Sequence, residues 1–153
     1  MRTLRVRVRD GKPELLWKGP LHNWYHSAVV DDGHVYMPHG DDRISCLDLD
    51  NGEPKYGLGR TDKLPKPKTW SSGRGGVHGG GFTIADGKAL LIDAKGSLVI
   101  YDVSAAIPRL LSRIKVLDPD RSPYKYETAP VLANGRVYCR NTDGQIVCLD
   151  VRK

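Results

Sequence analysis

Short apolar runs separated by turn residues recur along this chain, and three of the segments align without gaps. They run from Val29 to Tyr36, from Thr83 to Leu90 and from Val131 to Tyr138, and each contains Asp-Gly or Asn-Gly at the same place. Fifteen residues after the glycine of each segment, a second apolar run ends in an aspartate; these are Asp48, Asp102 and Asp150. Because both markers keep the same spacing, we infer an internal repeat.

Each repeat unit has the pattern of a β-meander. Asp-Gly and Asn-Gly tolerate the positive φ angles of tight hairpin turns, and here they stand between runs rich in Val, Ile, Leu and Tyr. A second turn follows in every unit, at Asp41-Asp42, Lys95-Gly96 and Asp143-Gly144. A fourth strand is predicted at residues 54–58 and 109–117, and residues 13–17 form a further copy of it. The pattern therefore predicts four-stranded antiparallel units.

Four-stranded meanders that recur every 40 to 50 residues are typical of β-propeller blades. We therefore predict an all-β fold, a β-propeller of four-stranded antiparallel blades, with about three blades in a single domain of residues 1–153. Its predicted units are the third and fourth strands of a preceding blade (1–18), blade 1 (22–58), a glycine-rich insertion (59–81), blade 2 (82–117) and an incomplete blade 3 (126–153).

Three blades are too few to close a ring, which usually needs four to eight. Two explanations stay open at this point. The chain is a partial ring taken from a longer propeller, or it is half of a ring that two copies close together.

The repeat resembles the pyrroloquinoline-quinone-like propeller family. The resemblance rests on a glycine turn followed by Val-Tyr, then a second turn, then an apolar run that ends in Leu-Asp before a further glycine. In the first full unit these elements are Gly33 to Tyr36, Leu47-Asp48 and Gly52, and in the last unit they are Gly135 to Tyr138 and Cys148 to Asp150. A closing strand with tryptophan stands at Leu15-Leu16-Trp17. The pattern departs in the fourth strands, where Tyr56 replaces one tryptophan and residues 109–117 contain none.

The resemblance implies a non-catalytic repeat protein that acts as a protein-interaction scaffold or binding module. It resembles in this respect the propeller lipoprotein of outer-membrane assembly, whose ring surface binds other proteins. The alternative is a fragment of a quinone-dependent dehydrogenase, a relative that holds its quinone with calcium, a tryptophan platform, a catalytic aspartate and usually two adjacent cysteines. Because no two cysteines are adjacent here, we expect no enzyme activity and no cofactor. The expected partners are other proteins, including a second copy that completes the ring, and a small-molecule ligand stays open.

The charge balance suggests a second alternative. Lys and Arg number 24 against 18 Asp and Glu, a formal net charge of +6, which is compatible with a basic nucleic-acid-binding module. The basic residues are spread along the chain, and only residues 5–9 and 63–68 are dense in them. That distribution favours solvated surface over a nucleic-acid site.

Neither a membrane span nor a secretory signal is indicated by the hydropathy of the chain. No stretch approaches the roughly 20 apolar residues of a transmembrane helix. The first nine residues alternate basic and apolar and lack the continuous apolar core of a signal peptide. The family resemblance implies a periplasmic or extracellular location if the chain is a truncated fragment, so the compartment stays open.

The glycine-rich insertion matches no repeat, and it contains the candidate ligand residues Trp70, Arg74 and His78. Its glycines let the backbone approach an anion or a sugar, the guanidinium is a planar donor, and the indole is a stacking surface. Tyr126 stands at the equivalent approach to blade 3. We expect both loops to line one site on a face of the ring, with a simple flexible linker as the alternative.

The cysteines and the repeated aspartates have structural explanations. Cys46 and Cys148 share one repeat position, and Cys139 occupies a position that is apolar in the other units, so all three are expected to pack as small apolar residues. If the Asp143-Gly144 turn has two residues, Cys139 and Cys148 lie opposite each other, and a cross-strand disulfide is the alternative. The aspartates are expected to cap turns. No zinc-like Cys/His spacing occurs, so we expect no metal site.

Overall fold

The structure, a computed structural model, describes residues 3–19, 27–39, 43–56, 81–93, 95–104, 108–118 and 128–152. Within these residues every regular element is a β-strand, and the strands form four antiparallel sheets. The first sheet, which we call the N-terminal ribbon, pairs β1 (Thr3–Arg9) with β2 (Lys12–Gly19). The described residues contain no helix of the length and hydropathy that a membrane crossing requires.

The other three sheets are meanders, with neighbouring strands in chain order. Blade 1 contains β3 (Val29–Asp31), β4 (His34–His39), β5 (Arg43–Asp48) and β6 (Pro54–Tyr56). Blade 2 contains β7 (Phe82–Ala85), β8 (Lys88–Ile92), β9 (Ser97–Asp102) and β10 (Arg109–Lys115). Blade 3 contains β11 (Val131–Ala133), β12 (Arg136–Arg140) and β13 (Ile146–Asp150). The predicted fold class, all-β with four-stranded antiparallel blades, is confirmed. The predicted boundaries of the sequence units stay predictions.

The first hairpin of each blade turns at the predicted dipeptide. Both turn residues have positive φ, for example 42° at Asp32 and 71° at Gly33, and the same holds at Asp86-Gly87 and Asn134-Gly135. Two successive positive φ angles are the conformation that matches the right-handed twist of the flanking strands. The ribbon uses the same device at Asp10-Gly11, which joins β1 to β2.

The hydrophobic core lies between the sheets. Strand side chains alternate between two faces, so each blade has a rear face toward the preceding sheet and a front face toward the next one. One cluster packs the front of blade 1 on the rear of blade 2 (Tyr36, Cys46, Phe82, Ala89, Leu91, Val99, Tyr101 and Val103). A second packs blade 2 on blade 3 (Leu90, Ile92, Leu98, Leu117, Val137 and Cys139). The sheets are thus stacked as consecutive blades.

Trp17 holds the N-terminal ribbon on blade 1. Its ring packs with the cluster of Val35, Met37 and Leu47 on the rear face of that blade. The indole Nε1 donates a hydrogen bond of 2.8 Å to the carbonyl oxygen of Leu49. A Cβ at Gly52 would lie 2.7 Å from two carbons of the ring, and the φ of that glycine is +74°. Only glycine combines this backbone angle with so close an approach.

The repeated aspartates cap the turns that follow β5, β9 and β13, as predicted. Asp48 Oδ1 accepts the backbone N–H groups of Asp50 and Asn51 at 2.9 and 3.2 Å, and these bonds hold the pKa of Asp48 below its usual value. The hydroxyl and the N–H of Ser104 lower the pKa of Asp102 in the same way. The side chain and N–H of Arg152 lower that of Asp150.

A buried acceptor also closes the turn between the second and third strands. In blade 2, Asp93 Oδ1 accepts the N–H groups of Lys95 and Ser97, both at 2.9 Å. Its Oδ2 accepts no hydrogen bond and faces the Arg113 guanidinium at 3.5 Å. In blade 3 the same position is Asn141, whose Oδ1 accepts the N–H of Gln145 at 2.8 Å.

The conditional disulfide between Cys139 and Cys148 is wrong. The chain between β12 and β13 spans residues 141–145, a longer turn than two residues, because Asn141 closes it through its side chain. Cys139 therefore pairs with Val147, and Cys148 pairs with Tyr138 on the other face of the sheet. None of the three cysteines forms a disulfide. Burial raises the pKa of the Cys139 thiol to about 11.

Candidate interaction surfaces

The front face of blade 3 lies open to solvent. Alternation places Val131, Tyr138, Ile146 and Cys148 on it, because these residues pair across β11, β12 and β13 out of phase with the buried Val137 and Cys139. All four are exposed, and Ile146 is 66% exposed. We call this set the C-terminal end face. Arg136 and Arg140 lie on the same side of β12 as Tyr138, so the apolar side chains are flanked by two guanidinium groups. No covering layer lies over this face in the described part of the chain.

Residues at equivalent positions of blades 1 and 3 differ in their exposure to solvent. Tyr36 in blade 1 is equivalent to Tyr138, yet Tyr36 is 4% exposed and Tyr138 is 36% exposed. Cys46 is buried, whereas the equivalent Cys148 is exposed. Blade 2 covers Tyr36 and Cys46. The expectation that every cysteine packs inside thus holds for Cys46 and Cys139 and is wrong for Cys148.

The rear face of the N-terminal ribbon is also open. Thr3, Arg5 and Trp17 lie on its front, where the Arg5 guanidinium donates to the Leu49 carbonyl and contacts Asp50 Oδ1 at 2.9 Å. The opposite side carries a second apolar set, which we call the N-terminal end face; it consists of Leu4, Val6, Val8 and Leu15. All four are exposed, and Val8 reaches 70%.

The N-terminal end face follows from the strand pattern of the first residues. The stretch from Leu4 to Arg9 alternates aliphatic and basic side chains, so one side of β1 is aliphatic and the other is basic. The ribbon turns its basic side toward blade 1 and its aliphatic side toward solvent. An amphipathic strand normally does the reverse, since burial of aliphatic surface is favourable.

A cleft of about 510 Å³ opens between the hairpin turns of blades 1 and 2. Three carboxylates line it, together with two rings and small residues; the lining consists of Asp31, Asp32, His34, Tyr36, Asp86, Gly87, Val103 and Ser104. The carboxylate of Asp86 is already paired with the Lys88 ammonium at 2.7 Å. No group of three or more potential metal ligands occurs among the described residues.

The ligand residues expected from the sequence lie elsewhere in the chain. Trp70, Arg74, His78 and Tyr126 fall outside the residues that the structure describes. Their assignment to a binding site stays a prediction. A ring left open at its ends, which a second copy completes, was expected from the sequence, but the residues of the two end faces were not assigned, although the signal for both is present. Alternation marks one side of β1 as aliphatic, and the repeat alignment places Tyr138 and Cys148 at positions that a following blade covers.

Comparison with solved structures places the stacked sheets in a known class. The chain superimposes on the computationally designed Ika4 protein with a TM-score of 0.59 and 13% identity, over 91% of this chain and 74% of that one. It matches BamB from Moraxella catarrhalis with a TM-score of 0.59 and 15% identity, over 89% of this chain and 35% of that one. No family model matches the sequence, and no curated protein does.

These likenesses define the fold, which is that of a β-propeller. The chain spans about three quarters of the designed propeller and about a third of BamB. Its blades therefore correspond to an arc of the larger ring.

Proposed function

We propose that this chain is a non-catalytic protein-binding module of the β-propeller class, similar to the pyrroloquinoline-quinone-like repeat proteins, and that it binds through its two end faces. One observation carries the proposal: repeat positions that a neighbouring blade buries inside the chain are exposed at the last blade. Tyr36 and Tyr138 are the clearest pair.

The end faces have the chemistry of protein-binding surfaces. Contiguous apolar patches on a soluble protein mark interaction sites, whereas single exposed apolar residues need no explanation. The C-terminal end face combines an aromatic ring with aliphatic neighbours, and interface cores are enriched in such aromatic residues. The N-terminal end face is mainly aliphatic, with Lys18 paired to Leu4 at one end of it. Their apolar centres favour burial against a complementary apolar surface, and arginines such as Arg136 and Arg140 at the rim of the C-terminal end face are also common in protein interfaces.

Site-specific photo-cross-linking tests this function. Cys148 is the exposed cysteine, so a benzophenone maleimide attaches to it without engineering, while Cys46 and Cys139 are buried. The matched control carries Cys148→Ser and Ser112→Cys, which moves the probe to an exposed position on β10 of blade 2. We expect a defined protein adduct from Cys148, in purified protein or in extract of the source cells, and none from the control.

The outcomes distinguish specific protein binding at the C-terminal end face from non-specific contact over the whole surface. No adduct from Cys148 under either condition would refute the proposed function. Equal adducts from both probe positions would also refute it, because they would show that the end face has no preference over the rest of the surface. Addition of excess nucleic acid should leave the adduct unchanged.

A further inference from the structure

The two end faces are the two halves of one contact. A front face that meets a rear face is how blade 1 packs on blade 2 and how blade 2 packs on blade 3. The C-terminal end face is an unpaired front, and the N-terminal end face is an unpaired rear. Resting on the proposed function, we propose that a second copy of this chain covers both faces head to tail, the front of blade 3 of each copy on the ribbon of the other.

The internal contacts show what a front face of this composition packs against. In blade 1 the front is formed by a tyrosine on the second strand and a cysteine on the third, Tyr36 and Cys46, and they pack on aliphatic residues of the next blade such as Leu91 and Val99. Blade 3 repeats this pair as Tyr138 and Cys148. The contact between blades 1 and 2 therefore shows that a front face with this tyrosine and cysteine packs on an aliphatic surface formed by β-strands.

The N-terminal end face fits that description. Val6 pairs with Leu15 across the ribbon, so aliphatic side chains from two adjacent strands form one surface. Val8 and Leu4 extend it along β1. The rear faces of blades 2 and 3 are built in the same way, from residues such as Leu91 and Val99 or Val137 and Val147.

Self-association explains both faces with one partner. Among the described residues, one front face and one rear face have no covering sheet, so two copies related by a twofold axis form the same contact twice and cover both faces. Such a front-to-rear contact is heterologous, and it closes when the rotation between copies is a half-turn. Blades of a β-propeller stack around a common axis, so the stacked sheets of one copy have curvature of the kind that closure needs. An unrelated partner would cover one face and leave the other open.

The first measurement is the mass of the purified chain by light scattering behind size-exclusion chromatography, over a dilution series. We expect a species of twice 17.0 kDa that dissociates to one chain on dilution. Val6→Glu and Ile146→Lys each place a charge in the contact, and burial of an unpaired charge is costly. Each substitution alone should weaken the pair by about tenfold or more. Matched controls at exposed apolar positions off the end faces, Val30→Glu on β3 and Ile114→Lys on β10, should not.

Mixing the two variants gives the decisive result. A mixed pair holds one unaltered contact and one in which the introduced glutamate and lysine share the same contact. Val6→Glu and Ile146→Lys should therefore dimerise together although neither does so alone. Circular dichroism of each variant confirms that it is folded before the masses are compared.

Other results overturn the proposal. A single chain at every concentration refutes a second copy, and growth beyond two chains refutes a closed pair. Loss of the pair through only one of the two substitutions means that a face binds itself, which also refutes head-to-tail closure. A single-chain mass with a persistent Cys148 adduct to another protein would leave the proposed function standing; loss of both would remove both.

Discussion

Replacing Gly52 with alanine tests how the N-terminal ribbon is held on blade 1. The added Cβ would lie 2.7 Å from Cδ2 and Cε3 of Trp17, at a residue whose φ is +74°. Gly33 is the matched control in the same blade, because its φ is +71° and a Cβ there meets nothing within 4 Å. The two substitutions share the backbone strain and differ only in the contact with the indole.

The expected costs follow from these two geometries. A side chain at a left-handed φ costs about 1–2 kcal/mol, which is the whole expected effect of Gly33→Ala. Gly52→Ala adds displacement of the Trp17 ring, and overpacking of this kind costs about 1–3 kcal/mol. The displaced indole also loses its 2.8 Å bond to the Leu49 carbonyl, worth about 1 kcal/mol. Gly52→Ala should therefore cost about 2–4 kcal/mol more than Gly33→Ala.

The assay is urea unfolding followed by far-ultraviolet circular dichroism, under conditions where every variant is a single chain. Limited proteolysis of residues 3–19 provides the second readout, since a displaced ribbon becomes a substrate. Equal unfolding free energies for the two variants, with an equally protected ribbon, would refute the close approach of Trp17 as the anchor. Because the ribbon carries the N-terminal end face, Gly52→Ala should also weaken self-association.

Further predictions concern buried groups and pH. Asp93→Asn keeps the oxygen that closes the turn and should lower the free energy of unfolding by about 1 kcal/mol, because the ion pair with partly exposed Arg113 is lost. Asp93→Ala also leaves two N–H groups without an acceptor and should cost about 3–5 kcal/mol in urea unfolding. Equal costs would contradict the capping role. At dilutions where the folded protein is a single chain, Ellman's reagent should titrate Cys148 alone, and in urea it should titrate all three thiols, since Cys46 and Cys139 are buried and the pKa of Cys139 is raised to about 11. A second fast thiol in the folded chain would contradict the burial. The lowered pKa of Asp102 stabilises the fold above the unfolded value of about 3.9, and this stabilisation is lost as pH falls through the folded pKa. Asp102→Asn should therefore be less stable than the wild type at neutral pH and equal to it at low pH, and a difference that persists in acid would contradict this.

The repeat and its hairpins were predictable because their cause is local. Asp-Gly and Asn-Gly determine the turn conformation through backbone sterics alone, and alternation of apolar residues determines which side of a strand is buried. The second turn of blade 3 was not predictable from Asp143-Gly144, because the side chain of Asn141 closes a longer loop. Asp93 occupies the equivalent place in blade 2. The signal to use is therefore an acidic or amide residue whose side chain accepts the N–H four positions later, at the entry to the third strand.

Exposure of the end faces depends on neighbours rather than on local sequence. Repeat position correctly assigns Cys148 to the same face as Cys46, but it does not state whether another blade follows. The same limit applies to β1, where alternation separates aliphatic from basic residues without showing which side meets blade 1. Trp17 settles that orientation through its contact with the Leu49 carbonyl. The candidate residues of the insertion, with Trp70 among them, stay predictions.

The alkylation rate of Cys148 at increasing protein concentration tests most directly whether this chain associates through its end faces. The measurement uses the Ser112→Cys variant, so that mass spectrometry follows a thiol on the C-terminal end face and a thiol on β10 of blade 2 in one sample. Alkylation of Cys148 should slow as the protein concentration rises, while the thiol at position 112 should react at a constant rate. A Cys148 rate that is the same at every concentration would contradict association through the end faces.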